Sequence, residues 1–118
     1  MEISRSQCPI ATSLETIGDR WTLVLVRDLL AGKRKYSDFL DSPERITTST
    51  LADRLNRMEQ AGLVRKRAYQ ERPKRFEYTL TEKGEALLPT LQEICRWANH
   101  YMPETWKPPD WFMTRKPA

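Results

Sequence analysis

The chain has 118 residues, with 20 Lys and Arg against 16 Asp and Glu for a formal net charge of +4, one His and two Cys. A length of this order fits one small domain with a single core and excludes most multi-domain enzymes. With 39% hydrophobic and 31% charged residues, it should be globular but rich in surface.

The longest apolar stretch, Leu23–Val26 flanked by Trp21 and Leu29-Leu30, is broken by Thr22, Arg27 and Asp28, far short of the ~20 residues that a membrane span needs. The first thirteen residues, MEISRSQCPIATS, lack an apolar core behind a basic start, so no leader is expected and the expected location is cytoplasmic. Cys8 and Cys95 stand far apart with no Cys/His cluster, which offers neither a disulfide scaffold nor a four-ligand metal site. No cofactor is expected. A pI near 9.3 points to an anionic partner such as nucleic acid.

In chain order, Pro9 stands at a first helical position, and Ile10, Leu14 and Ile17 recur at helical spacing, which predicts a short helix over 9–17. Residues 19–31 start at a possible Asp19 cap and are apolar around most of the circumference, the pattern of a core helix. A brief helix over 35–41 places Tyr36, Phe39 and Leu40 together and stops before Pro43. Over 47–61, Leu51, Leu55 and Met58 recur at i, i+4, i+7 between a Thr47 cap and Gly62. Residues 63–69 and 75–80 around the turn 70–74 read as a β-hairpin. Thr81 is expected to cap one long helix to about Tyr101, kinked at Pro89, with an apolar stripe through Leu87, Leu88, Leu91, Ile94, Cys95 and Ala98. The organisation expected is a body over 1–101 and a Pro/Trp-rich tail over 102–118 without regular structure, whose aromatics pack on something.

This order is that of a winged helix-turn-helix: mainly α with a small β-hairpin, in which 35–41 supports and 47–61 reads. Rotation by 100° per residue with Leu51, Leu55 and Met58 inward turns Ser49, Asp53, Asn56, Arg57 and Gln60 outward, with Arg54 on the shoulder, and makes Ser49, Arg54 and Arg57 the natural DNA-facing candidates. The hydroxyls of Thr47, Thr48 and Ser49 suit close approach to DNA, although capping alone also explains such a run. Asp53 is awkward unless it accepts from a base or pairs with Arg57. Residues 65–75 hold six basic residues and one acid; Arg72, Lys74 and Arg75 at the tip should reach the backbone or a minor groove, the alternative being a solvated charged hairpin. Lys35 and Ser37, at the start of the supporting helix, complete the DNA-facing set.

The stretches CPIATSLETIGDRWTLVLVRDLLAGKRKYSDF, ITTSTLADRLNRMEQAGLVRKRAY and PKRFEYTLTEKGEALLP, followed by ICRWA, closely resemble the HxlR-type winged-helix transcriptional regulators, relatives of the MarR group, from Cys8 to about Ala98. Gly18–Trp21, Glu59–Val64 and Glu77–Gly84 carry the resemblance jointly. It implies a homodimer joined through its N- and C-terminal helices, each subunit placing its reading helix in a major groove of a pseudo-palindromic operator in double-stranded DNA. Half-sites would then lie about one helical turn apart, ~34–36 Å, or a multiple of it. The Ser/Thr-rich start of the reading helix and the Pro/Trp tail depart from the family pattern, so the operator sequence does not transfer.

Several members of the family sense quinones, aldehydes or oxidants through a cysteine placed like Cys8, which implies thiol switching by an oxidant or small electrophile. A helix N-terminus favours an anion and suits a thiolate, and Arg5 adds positive charge. Cys95 is a candidate resolving partner or a buried core thiol. The competing reading of Cys8 is a residue retained without its effector. His100 fits a helix C-terminus, and Trp106, Trp111 and Phe112 fit packing across a dimer or the lining of an effector pocket. No nucleophile–base pair or phosphate loop is present, so no enzyme is expected; a Cys8-dependent thiol peroxidase and a protein–protein winged helix remain as alternatives.

Overall fold

The computed structural model describes residues 6–117. Along the chain run α1 (Pro9–Ile17), α2 (Thr22–Leu30), α3 (Tyr36–Leu40), α4 (Thr48–Gln60), β1 (Val64–Glu71), β2 (Lys74–Leu80), α5 (Glu82–Glu85), α6 (Leu88–Tyr101) and α7 (Asp110–Thr114). This is the expected winged helix-turn-helix. Arg5, the cation expected beside Cys8, lies outside the described residues.

The core forms where apolar stripes converge. Leu25, Val26, Leu29 and Leu30 of α2 meet Phe39 of α3, Leu51, Leu55 and Met58 of α4, Tyr78 of β2 and Leu88 and Leu91 of α6, all buried. Phe39, Leu51 and Leu55, like Val26 of α2 and Leu88 of α6, are fully excluded from solvent, so α4 is seated directly on the core.

Local chemistry sets the ends of α4. Thr47 caps its start, its Oγ1 accepting from the Thr50 N–H at 3.3 Å. At the other end Gly62 takes φ +79°, its N–H donating to the Glu59 carbonyl while the Leu63 N–H donates to the Met58 carbonyl. That pair of bonds needs the left-handed conformation which glycine adopts without steric cost.

Two expectations about the C-terminal third are corrected. There is no single kinked helix from Thr81 to Tyr101: α5 ends at Glu85 and α6 begins at Leu88. Pro89 has no N–H to donate to the Glu85 carbonyl, which weakens a continuous helix at this point, and Pro89 occupies the first turn of a new one. Nor is the tail irregular throughout: α7 forms and buries Phe112. Gln92, itself buried, donates from Nε2 to the carbonyls of Phe112 and Arg115, at 2.9 and 2.8 Å, which supplies acceptors at the end of α7 with a partner.

Little of the outer apolar surface is covered. α1 contains no buried residue, with Ile10 71% and Leu14 56% exposed, and Trp97 and Tyr101 of α6 are 58% and 66% exposed. Such a concentration of exposed large apolar side chains marks a surface for association.

Candidate nucleic-acid interface

The interface is built on α3, α4 and the hairpin. Leu51, Leu55 and Met58 anchor the inner face of α4, and Thr48, Ser49, Asp53, Asn56, Arg57 and Gln60 are exposed on its outer side. The Thr47 hydroxyl is occupied as the cap, bonded to the Thr50 N–H and 3.0 Å from the Thr50 hydroxyl. The hydroxyls of Thr48 and Ser49 are thereby the ones left pointing outward from the first turn.

Asp53 pairs with Arg57 one turn on, at 3.1 Å from its Nε. This partly neutralises a carboxylate that would otherwise repel phosphate on the outer face. Arg54 is held differently. Its side chain is 26% exposed, with Nε 3.6 Å from Asp19 and 3.9 Å from Asp53, so it ties α4 to the turn between α1 and α2. Asp19 also accepts from the backbone N–H groups of Trp21 and Thr22, at 2.9 and 3.0 Å. Burial opposes its ionisation, but the Thr22 hydroxyl, these two N–H donors and the Arg54 charge outweigh that and hold its carboxyl below the usual range.

Arg27 fixes the approach to α4. Its guanidinium donates two bonds to Glu44, at 2.8 and 2.9 Å, and two to buried Asp28, at 3.0 and 2.8 Å. Asp28 also accepts from Ser42 at 2.9 Å, and Lys33 donates to Ser42 at 2.8 Å. The network therefore spans α2 and the turn preceding α4. The Arg27 hydrogen bonds hold the Glu44 carboxyl below its ordinary value, against the opposing effect of burial.

The hairpin pairs from Val64↔Leu80 to Glu71↔Lys74 and is interrupted between Ala68 and Gln70. Tyr69 falls in that bulge, which re-aims a side chain relative to the regular alternation. Its ring lies 4.2 Å from the Lys35 ammonium, a cation–π contact. The Tyr78 N–H donates to the Arg34 carbonyl at 2.8 Å, so the hairpin is fastened to the start of α3. Lys35 and Ser37, both exposed, share one groove with Lys66, Tyr69, Lys74 and Arg75. Sequence reading listed Lys35, Ser37, Lys74 and Arg75 but missed Lys66 and Tyr69; the density of basic residues signalled Lys66, whereas nothing in the alternation signalled the bulge.

The wing cations are not equally available. Arg67 is engaged by Glu77 at 2.6 Å, Lys66 faces Glu59 at 3.9 Å, and Lys74 faces Glu71 at 3.8 Å. Among the described residues Arg65, Arg72 and Arg75 have no ion pair, which leaves Arg72 at the turn and Arg75 beside it as open charges.

Asp38 holds the start of α3. Its carboxylate accepts from the Arg34 and Lys35 N–H groups, both at 3.0 Å, and these bonds, Arg34 first, keep its carboxyl below the usual range against a smaller effect of burial. Asp38→Ala is expected to cost about 1 kcal/mol in urea unfolding. A lowered folded-state value stabilises only the ionised form, so this contribution is complete above the ordinary value of 3.8. It is lost as pH falls through the folded value. Wild type and variant should accordingly converge in stability under acid and differ near neutrality.

Both thiols are free; Cys8 is exposed at the N-cap of α1 and Cys95 is half-buried on α6. Burial pushes the Cys95 thiol up, and the Arg96 charge opposes this only in part. His100 is exposed in the last turn of α6, edge-on to Tyr101 at 4.5 Å.

A family profile for HxlR-like helix-turn-helix proteins matches residues 16–106. A protein of Methanothermobacter thermautotrophicus described as an HTH-type transcriptional regulator is 33% identical over 94 residues, covering 80% of this chain and 72% of that protein. Among solved structures, the reduced form of the transcriptional regulator YodB from B. subtilis superimposes with a TM-score of 0.69 at 29% identity, covering 86% of this chain and 100% of that one. The redox regulator HypR in its oxidised form does so with a TM-score of 0.70 at 30% identity, covering 79% and 96%. These relatives are regulators rather than enzymes. With the helix-turn-helix and its basic wing in place, the chain belongs to the HxlR-like helix-turn-helix family of transcriptional regulators.

Proposed function

We propose that this regulator is a homodimer that binds a pseudo-palindromic operator in double-stranded DNA and acts as a repressor. The observation that carries the reading is the open outer face of α4 beside a wing fastened to α3, which offers hydroxyl and guanidinium groups to base edges and open cations to phosphates. In this arrangement Thr48, Ser49 and Arg57 face the major groove, with the Thr47 cap setting the helix start. Lys35, Ser37, Arg72, Lys74 and Arg75 follow the backbone. Arg54 is assigned to positioning α4 through Asp19 rather than to a base contact.

Dimerisation uses the exposed faces of α1 and α6. Burying Leu14 and Trp97 against a second copy removes large apolar side chains from water, at roughly 25 cal/mol per Å2. The double variant Leu14→Asp, Trp97→Asp is expected to sediment as a monomer and to lose operator binding, while keeping its helical circular dichroism.

Cys8 is exposed at the start of α1, so its modification would disturb that same interface, and half-buried Cys95 on α6 is the second redox thiol of the reading. The redox regulator HypR, similar in fold, makes an oxidant the effector to test first. The experiment is anisotropy titration of reduced protein against its own upstream intergenic duplex and a scrambled duplex, repeated after diamide and beside Cys8→Ser. Specific binding that diamide abolishes only when Cys8 is present supports both the operator and the switch. Specific binding indifferent to diamide overturns the switch, and equal affinity for both duplexes overturns recognition of that upstream region. A reporter gene placed behind the bound region should rise in a deletion strain; a fall there would overturn repression.

A further inference from the structure

Between α2, α6 and the C-terminal segment lies a cavity of ≈ 490 Å3 that the DNA interface does not use. Leu23 and Val24 form one wall, Leu91 and Cys95 the second, and Trp106 and Trp111 the third. Its size falls in the range of about 300–1,000 Å3 typical of small-molecule sites, which are likewise mostly apolar.

The outer wall is fastened at both ends. Asn99 donates from Nδ2 to the Thr105 hydroxyl at 2.9 Å and the Trp106 carbonyl at 3.0 Å. Beyond Trp111, Gln92 holds the carbonyls of Phe112 and Arg115, and Arg115 donates to the Leu30 carbonyl at 2.8 Å. The indoles are thus carried on a framed segment, with Trp106 78% and Trp111 49% exposed. Large aromatic surface held this open is a platform for another flat apolar group.

The polar groups of the lining leave little free charge. Arg27 is already engaged by Glu44 and Asp28, and burial disfavours the charged form of the Cys95 thiol. Lys107 adds one exposed cation. The chemistry of the walls therefore selects an uncharged ligand over an ionic one.

The cavity is also set apart from the dimer face. At 100° per residue, Thr90, Glu93, Trp97 and Tyr101 form a stripe on α6 roughly 120° around from Leu91, Cys95 and Ala98, and Ile94, 47% exposed, lies between the two as the rim of the cavity. A second copy on the first stripe would border the cavity at Ile94 and leave its Trp106 and Trp111 wall to a separate occupant.

We propose that this cavity is an effector site for a small uncharged aromatic molecule, which lies against the Trp106 and Trp111 rings and the apolar wall of α2. Arg27 lines the cavity and also holds Glu44 in the turn before α4, so the occupant touches the side chain that fixes the approach to the reading helix. That coupling rests on the proposed DNA-binding role of α4; binding in the cavity does not.

The test titrates the full chain, without DNA, with N-phenyl-1-naphthylamine, an uncharged aromatic fluorophore that brightens in apolar surroundings. The expected result is saturable binding of one probe per chain with emission sensitised by tryptophan. Affinity should fall at least tenfold in Cys95→Phe, which fills the cavity, and several-fold in Trp106→Ala, whose exposed side chain carries no folding burden. Absence of saturable binding, or equal affinity in both variants, overturns the proposal. So does binding that appears only after Leu14→Asp, Trp97→Asp has separated the dimer, since a second copy would then be the occupant. At saturation the probe should shift duplex affinity several-fold; probe binding with unchanged duplex affinity overturns the coupling through Arg27. If no duplex is bound specifically, the titration without DNA still decides the cavity.

Discussion

Replacing Arg72, Lys74 and Arg75 together by Ala will weaken binding to both specific and scrambled duplexes by about 100-fold or more at physiological salt, and will flatten the salt dependence. Each lost phosphate contact lowers the slope of log affinity against log salt by about 0.9, so three residues on each of the two wings of the proposed dimer can remove up to about 5. All three side chains are exposed and, among the described residues, only Lys74 has an ionic partner, at 3.8 Å. Thermal stability should therefore change by no more than about 0.5 kcal/mol. Anisotropy titrations between low and physiological salt read the slope directly. An unchanged slope with unchanged affinity would mean that the wing lies off the DNA and would return the fold to a protein–protein role. By contrast, Arg57→Ala and Ser49→Ala should weaken the specific duplex more than the scrambled one, because groups that read base edges discriminate while phosphate contacts do not.

Arg27→Ala should be the most destabilising single change near the interface, by about 2–3 kcal/mol. It removes four hydrogen bonds at once and leaves Asp28, 3% exposed, with a carboxylate supported by Ser42. Uncompensated buried charge commonly costs about 3–5 kcal/mol, and the smaller figure allows for the 36% exposure of the Arg27 side chain. For a chain of this length the melting temperature should fall by roughly 10 °C. Glu44→Gln should cost less, since it keeps an acceptor for Arg27 and leaves the Asp28 pair intact. The pH dependence has a definite sign: the Glu44 carboxyl is held below its ordinary value of 4.5 by Arg27. The wild-type advantage is therefore complete above that value and is lost as pH falls through the folded one. Calorimetry of both variants at neutral and acid pH would show it; a constant difference across that range would overturn the role of the ion pair. Duplex affinity of Arg27→Ala, measured well below its melting temperature, should also fall, because the turn leading into α4 loses its tie to α2.

The fold was legible because its strongest signals are local. The spacing of Leu51, Leu55 and Met58, the Thr47 cap and Gly62 after the last turn all act within one helix, and α4 appears as Thr48–Gln60 with those residues at its inner face and ends. The same holds for the hairpin, whose two runs and turn were readable from β-branched and aromatic content. Residue density placed the basic wing, and helical rotation placed Ser49, Asn56 and Arg57 outward, since both depend only on chain order.

What the sequence did not determine depends on partners distant along the chain. Asp19 lies thirty-five positions before Arg54, yet it takes the guanidinium that rotation alone had left on the shoulder of the reading helix. Tyr69 reaches Lys35 because a bulge breaks the alternation of β1, and a bulge is a property of the paired strands rather than of either one. The break before Pro89 was signalled by the proline itself, but whether that residue kinks one helix or begins another was decided by packing, which buries Leu88 and Leu91 against α2. The tail shows the same division: its prolines and tryptophans announced no regular element, and α7 exists because Gln92 offers its end a donor and the core accepts Phe112. Chain order thus determined where helices, strands and charge lie, because those follow from short-range periodicity and composition. Only the tertiary structure decided which charges are already satisfied, which are left open, and where a cavity remains, because each depends on what long-range packing brings alongside.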